Sequence, residues 1–355
     1  MLPPNPWRTV HHSALAFPPH NGLPQSLFPR VIIRSKFFLI QTETHCPMAI
    51  SWYPGHMFKA NKELAKLMQQ IDVVIEVLDA RLPGASSNPL MHKMRRQHHK
   101  PCLHILNKAD LADPHRTREW IKYLNSQTGC AALANGKLQK GDAKALSTQQ
   151  IVTQCQQLVK GLPPKRKYTA VIAGIPNVGK STLLNLMAGR KLARTGNEPA
   201  VTKKQQRIKL NEQWYLFDTP GVLWPKLEDQ DAAVRLAASG AIRNTAIVFE
   251  DVAMDTAEFL IRDFPEAMKK HYGFKELPEK AEDFMTELAM RRSCKTRHGV
   301  DWHRVSEILL HDYRQGKLGR LTLEKPPTTP DETDNSGEKT ATKAAASEQQ
   351  SPASQ

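Results

Sequence analysis

The chain has no Cys-x-x-Cys pair, no internal repeat, and no apolar run of the roughly 18 residues that a membrane helix requires. Its five cysteines (Cys46, Cys102, Cys130, Cys155 and Cys294) are odd in number and scattered, which suggests neither a disulfide frame nor a zinc site. Free thiols fit a reducing compartment. Acidic residues are in short supply: 35 Asp and Glu face 50 Lys and Arg, for a net charge of +15. Such a balance favours a polyanionic partner, nucleic acid first, with a generally basic soluble protein as the plain alternative.

Two stretches lack what a folded domain needs. Residues 1–47 contain one acidic residue, Glu43, and are rich in Pro and His. Their apolar stretch Val31 to Ile40 is broken by Arg34 and Lys36, which argues against a secretory signal. Two readings stay open. One is an organellar transit peptide, which would place the protein in the mitochondrial matrix. The preferred one is a start set too early, with Met48-Ala49-Ile50-Ser51-Trp52 as the natural beginning and a cytoplasmic location. Residues 326–355 carry almost no large apolar side chain and are expected to be a disordered tail.

Between them lies enough chain for one α/β domain and a smaller one. Ile71 to Asp79 is a β-branched run that reads as a strand buried on both faces. Strands are also expected at 101–106, 130–134, 168–173, 206–210 and 214–217. Amphipathic segments near 57–70, 88–98, 114–126 and 146–160 alternate with the first of them, and 161–167 reads as a linker. Alternation of this kind predicts a doubly wound, mostly parallel sheet. Beyond about residue 255 only helical patterns remain, at 255–271, 278–292 and 302–315. The expected organisation is an α/β domain over 48–254 and a small all-α domain over 255–325.

Four motifs carry the chemistry. Gly174-Ile175-Pro176-Asn177-Val178-Gly179-Lys180-Ser181 follows a strand and opens a helix, as a phosphate loop must. Its glycines let backbone N–H groups, with those of Val178 and Thr182 beside them, turn toward phosphates at a helix N-terminus. Lys180 would reach the β- and γ-phosphates, and Ser181 would ligate Mg²⁺. Asp218-Thr219-Pro220-Gly221 ends a strand, so Asp218 can hold the metal through water and Gly221 can offer its N–H to a γ-phosphate. Thr202 lies between these motifs and is the candidate switch threonine on Mg²⁺. Asn107-Lys108-Ala109-Asp110 supplies base choice. The Asp110 carboxylate can accept from both N1–H and the exocyclic amine of guanine, a pair of donors that adenine lacks. A third base-loop element is expected near Ala132-Leu133-Ala134, where it is degenerate. The base motif precedes the phosphate loop by more than sixty residues, the reverse of the Ras-like order.

These residues resemble the circularly permuted GTPases, most closely the YlqF-type family called ribosome biogenesis GTPase A. Trp52-Tyr53-Pro54-Gly55-His56-Met57, Asp79-Ala80-Arg81-Leu82-Pro83 and Gly316-Lys317-Leu318-Gly319-Arg320 extend the similarity over about residues 49–325. The resemblance implies a circularly permuted P-loop GTPase domain followed by a small all-α domain. It also implies GTP hydrolysis with Mg²⁺, coupled to late assembly of the large ribosomal subunit, and rRNA contacts from the helical domain. A monomer is expected. Val222 stands where Ras-like proteins keep the glutamine that orients water, so unaided hydrolysis should be slow. His56, the only group of its motif that ionises near neutral pH, is the candidate to replace it. The resemblance also implies that Asn177 helps to hold a potassium ion.

The basic residues Arg291, Arg292, Lys295 and Arg297 cluster, and Arg314, Lys317 and Arg320 follow. They are the expected phosphate contacts, with Arg314 and Lys317 one turn apart if their helix continues. Two other functions stay open: a nucleotide-gated RNA-binding module with incidental hydrolysis, and a GTPase of tRNA modification or signalling.

Overall fold

In the computed structural model the described residues are 55–136, 145–161, 167–189, 206–219, 221, 223, 229–242 and 247–327. In chain order they form α1 (Gly55–Met68), β1 (Val73–Asp79), α2 (Pro83–Ser86), α3 (Pro89–Gln97), β2 (Cys102–Asn107), α4 (Pro114–Ser126) and β3 (Cys130–Asn135). Then come α5 (Thr148–Leu158), β4 (Tyr168–Gly174), α6 (Lys180–Ala188), β5 (Gln206–Lys209), β6 (Trp214–Asp218) and α7 (Gln230–Ser239). The last elements are α8 (Phe249–Asp263), α9 (Pro265–Tyr272), α10 (Ala281–Arg291), β7 (Lys295–Thr296), β8 (Gly299–Val300) and α11 (Trp302–Arg314).

Every strand expected from the sequence is present. The sheet order is β3-β2-β1-β4-β6-β5, parallel except for β5, which runs antiparallel to β6. β1 is buried along its whole length. Val73, Ile75 and Val77 pack with α5 and α6 on one face, while Val74 packs with Leu64, Leu67 and Met91 of α1 and α3 on the other. A parallel strand covered by helices on both sides needs such a continuous apolar run. Strand order reverses between β1 and β4, and ligands of doubly wound sheets sit at that reversal, beyond the carboxyl ends of the strands. Those ends deliver Asp79, Asn107, Asn135, Gly174 and Asp218.

Local signals set the helix starts. Asn88 and Asp113 cap α3 and α4, each with a proline in the first turn, and Ser147 forms a capping box with Gln150 on α5. α8 packs against α7, α9, α10 and α11. Residue 255, where the sequence reading places a domain boundary, lies inside α8, whose first turn already buries Phe249 and Val252. The two-residue strands β7 and β8 form a hairpin that no periodicity announced.

The segment after α11 returns to the sheet as a strap. Leu321 N–H donates to Leu111 O, Leu323 N–H to Arg81 O, and the Glu324 carboxylate accepts from Gly84 and Ala85 N–H at the start of α2. Burial raises the Glu324 pKa.

Beneath α3 the core holds a polar cluster. Glu76 Oε1 accepts from Asn88 N–H at 3.0 Å, and Oε2 lies 3.1 Å from His92 Nε2 and 3.2 Å from His104 Nδ1. Burial alone would raise the Glu76 pKa, but the His92 charge and the hydrogen bonds from both histidines outweigh it and hold the carboxylate well below its usual range. Burial pushes the His104 pKa down, against its hydrogen bond to Glu76. Cys102 joins them within ligand distance, but both Glu76 oxygens are already engaged and burial raises the thiol pKa. The cluster is thus a hydrogen-bonded core element. His104 is harder to protonate in the folded than in the unfolded chain, so the unfolded chain binds the proton first on acidification. Stability is expected to fall as pH drops below the ordinary histidine value of about 6.5. The urea midpoint should decline between about pH 7.5 and 5.5, and less steeply in His104→Gln; equal slopes would remove His104 as the cause.

Candidate functional site

The permuted motifs converge at the strand reversal. The phosphate loop leaves β4 and enters α6 at Gly179, whose φ of 95° lies in the left-handed region. A Cβ there would overlap the Asn107 amide, and one at Gly174 would come within 2.6 Å of Val77 O. The loop is therefore closed against β1 and the base loop, and only glycine fits. No side chain caps the N-terminus of α6, so its first N–H groups stay available to an anion. Gly221 packs against Pro176, which brings the Asp-x-x-Gly motif onto the same loop.

Lys180 Nζ donates to Asp218 Oδ1 at 2.8 Å, and both side chains are buried. This pair sits where a triphosphate and its metal need one cation and one carboxylate. Buried Thr219 donates its hydroxyl to Ile172 O of β4 at 2.9 Å. Ser181, half-buried, and Thr182, exposed, occupy the first turn of α6. These residues fit a phosphate-bound Mg²⁺: an uncapped helix start with a Ser in its first turn, and a buried Asp held to the adjoining Lys180.

The base loop is locked to the phosphate loop by side-chain amides. Asn107 Nδ2 donates to Val178 O at 2.7 Å, and Asn135 Nδ2 donates to Asn107 Oδ1 at 2.7 Å. Asn135 also accepts from Leu146 N–H through its side chain and from Ala109 N–H through its carbonyl. Asn135 thus belongs to the base loop. The third element expected near Ala132-Leu133-Ala134 stops one residue short of this amide. The signal available was the amide at the C-terminal end of a parallel strand, in register with Asn107. Asp110 is buried beside Gly136.

Lys108, at φ 60°, sends Nζ to Asp79 Oδ2 at 2.9 Å. The same carboxylate takes Arg81 Nε at 2.9 Å and Nη2 at 2.7 Å, a bidentate pair with both residues 1% exposed. Burial would raise the Asp79 pKa, but the charges of Arg81 and Lys108 hold it well below the ordinary value.

His56 lies in α1, and its side chain is outside the described residues, as are Thr202 and Val222. Among the basic residues, Arg292, Lys295 and Arg297 are exposed, with Arg292 over the Tyr272 ring. Arg291 is exposed but pairs with Glu287 and caps Gly273 O. Lys317 pairs with Asp312, and Arg320 is half-buried. Arg314 has to be corrected. Its Nε and Nη2 donate to Ala238 O and Ala237 O at 2.8 and 3.0 Å, so it caps the end of α7 rather than facing solvent. Nor does the helix run on to Lys317: α11 ends at Arg314, and Gly316 at φ 72° turns the chain.

Asp79→Ala would leave two cations without their buried anion. It is expected to lower unfolding free energy by about 3–5 kcal/mol in urea titration, and a loss below about 1 kcal/mol would contradict the geometry.

The family model described as "50S ribosome-binding GTPase" matches residues 169–279, which include the phosphate loop but not Asn107–Asp110. Ribosome biogenesis GTPase A of Bacillus cereus is 40% identical over 289 residues, covering 79% of this chain and 95% of that protein. The protein of the same name from Thermotoga maritima is 30% identical, with 78% and 95% covered. The structure of GNP-bound YlqF from T. maritima matches at a TM-score of 0.52 and 26% identity, covering 76% of this chain and 98% of that one. Permuted motif order, a shared fold and identity over most of the chain agree: the chain is a GTPase and belongs to the ribosome biogenesis GTPase A family.

Proposed function

We propose that this GTPase acts as an assembly factor in late maturation of the large (50S) ribosomal subunit, binding its rRNA according to the bound nucleotide. The name borne by these relatives supports the ribosomal role. The observation that carries the nucleotide reading is the Asn107–Val178 hydrogen bond, which joins base motif and phosphate loop at the strand reversal.

In this reading Asp110 accepts the two donors of the guanine edge, Lys108 lies along the base and Asn107 holds the loop in place. Backbone N–H groups from Gly174 to Thr182 cradle the phosphates, and Lys180 leaves Asp218 for the β- and γ-oxygens. Ser181, Thr202 and Asp218 would hold Mg²⁺. The metal, when bound, neutralises charge that develops on the phosphoryl oxygens. Gly221 donates its N–H to the γ-phosphate. Val222 can neither donate nor accept a hydrogen bond, so His56 orients the attacking water, and Asn177 helps to hold a potassium ion. Arg291, Arg292, Lys295, Arg297, Lys317 and Arg320 meet RNA phosphates. The exposed run Arg291, Arg292, Lys295 and Arg297 at the α10 end and the β7–β8 hairpin favours this surface.

Asp110→Asn is expected to weaken GTP at least about tenfold, roughly 1.4 kcal/mol, and to admit xanthosine triphosphate, read by fluorescent-nucleotide competition. Retained GTP preference would refute the base assignment. Val222 also supports a second reading, an RNA-binding module whose hydrolysis is incidental. Turnover with purified large subunits separates the two: stimulation of about tenfold or more supports coupled hydrolysis, and a flat response favours the module.

A further inference from the structure

The two nucleotide loops are tied to the ends of two helices that lie far away in sequence. On the phosphate side, Asn177 at φ 56° donates from Nδ2 to Gly240 O at 2.7 Å. Gly240 is the C-cap of α7, and the carbonyls just before it, on Ala237 and Ala238, accept from Arg314. Arg314 is the last residue of α11. Its own carbonyl and that of Tyr313 accept from Arg81 Nη1 at 3.4 and 3.3 Å. Arg81 is held by Asp79, and Asp79 also holds Lys108 of the base loop. The contacts run from phosphate loop to base loop through two helix ends.

Helix C-termini present unpaired carbonyls and partial negative charge, so amide and guanidinium donors suit them. Most helices meet this need locally, with a glycine or a nearby side chain. α7 and α11 have such local caps, at Gly240 and Gly316, and in addition take donors from 63 to 233 residues away. A local cap stabilises one helix. The distant donors instead bind helix ends to the nucleotide loops, so a shift of either loop must carry the helix end along or break the bond.

We infer that Arg81 and Arg314 are positioning residues of the nucleotide site, and that their contacts report the phosphate state of the nucleotide to α7 and α11. This rests on the loop assignments of the proposed function. The two ends of the chain of contacts differ in strength. At the base end stands a buried bidentate ion pair. At the phosphate end stands a neutral hydrogen bond, from half-buried Asn177 to Gly240 O. A neutral bond changes partner more readily than a buried pair breaks. Phosphate oxygens that accept from Asn177 Nδ2 in place of Gly240 O free that carbonyl, so the end of α7 moves and Asp79 is the fixed point. Linkage makes the effect reciprocal: a change at the helix ends must alter the preference between nucleotides.

The test uses the full chain and fluorescent GDP and non-hydrolysable GTP analogue, with dissociation constants for wild type, Asn177→Ala, Arg314→Gln and the double variant. Arg314→Gln, outside both loops, is expected to change the analogue-to-GDP affinity ratio by about fivefold or more. Asn177→Ala should change it too, and the double variant should go no further than the larger single effect. Arg314→Lys, with one donor atom for two carbonyls, should restore part of the ratio; if Arg314→Gln does not fold, the cycle is run with Arg314→Lys. A folded Arg314 variant with an unchanged ratio overturns the inference, as does equal weakening of both nucleotides or full additivity. Failure of the site assignment itself gives a different result: Lys180→Ala would keep its affinity for both nucleotides.

Discussion

The Asp79 carboxylate is the contact on which the rest of the site depends. It ends β1, the strand beside the reversal of the sheet, and it is buried. A buried anion is tolerable only when opposite charge and hydrogen bonds replace the water it lost. Arg81 supplies a planar fork and Lys108 a third donor. Each partner then fixes something else. Lys108 is held inside the base loop, while Arg81 reaches the end of α11 and, through its carbonyl, the C-terminal strap. One carboxylate thereby sets the mutual position of the sheet, the base loop and the last helix.

Inversion of the motif order alters connectivity without dispersing the site. β4 pairs with β1 although β2 and β3 intervene in sequence, so the phosphate loop opens beside a base loop made earlier in the chain. Asn107 then spans the gap with one amide, closing on Asn135 and on Val178. The chain beyond Gly221 is free of base-reading duties and passes to the helices, whose ends meet the nucleotide loops at Gly240 and Arg81.

The strands and longer helices were legible because burial writes itself as periodicity. Val73 to Leu78 is apolar on both faces, apart from Glu76, since both faces are covered, and α4 begins where Asp113-Pro114 says it should. The phosphate loop was legible for a different reason: backbone approach to phosphate demands glycines at fixed spacing. Asn135 was missed because a strand-end amide looks the same whether it closes a turn or a binding loop. Arg314 was misread because a basic residue on an amphipathic helix is ordinarily solvated, and no local pattern tells that the end of another helix waits opposite it. The strap was invisible for a similar reason, since Leu321 to Glu324 form no regular element and are held by partners more than two hundred residues away.

What the sequence determined by itself was composition-driven and local: which segments bury, where helices start, which loop can approach phosphate, and that base motif precedes phosphate loop. These follow from side-chain size, backbone freedom and hydrogen-bonding capacity, all properties of neighbouring residues. Only the tertiary structure decided which charges meet. Asp79 chooses Arg81 and Lys108, Arg314 chooses two carbonyls of α7, and Asn177 chooses Gly240 because chain packing brings them within about 3 Å. Electrostatic partnership falls off with distance in space and is indifferent to distance along the chain. The motif order could therefore be read from the letters, while the contacts that give it consequence appeared only when the chain had closed on itself.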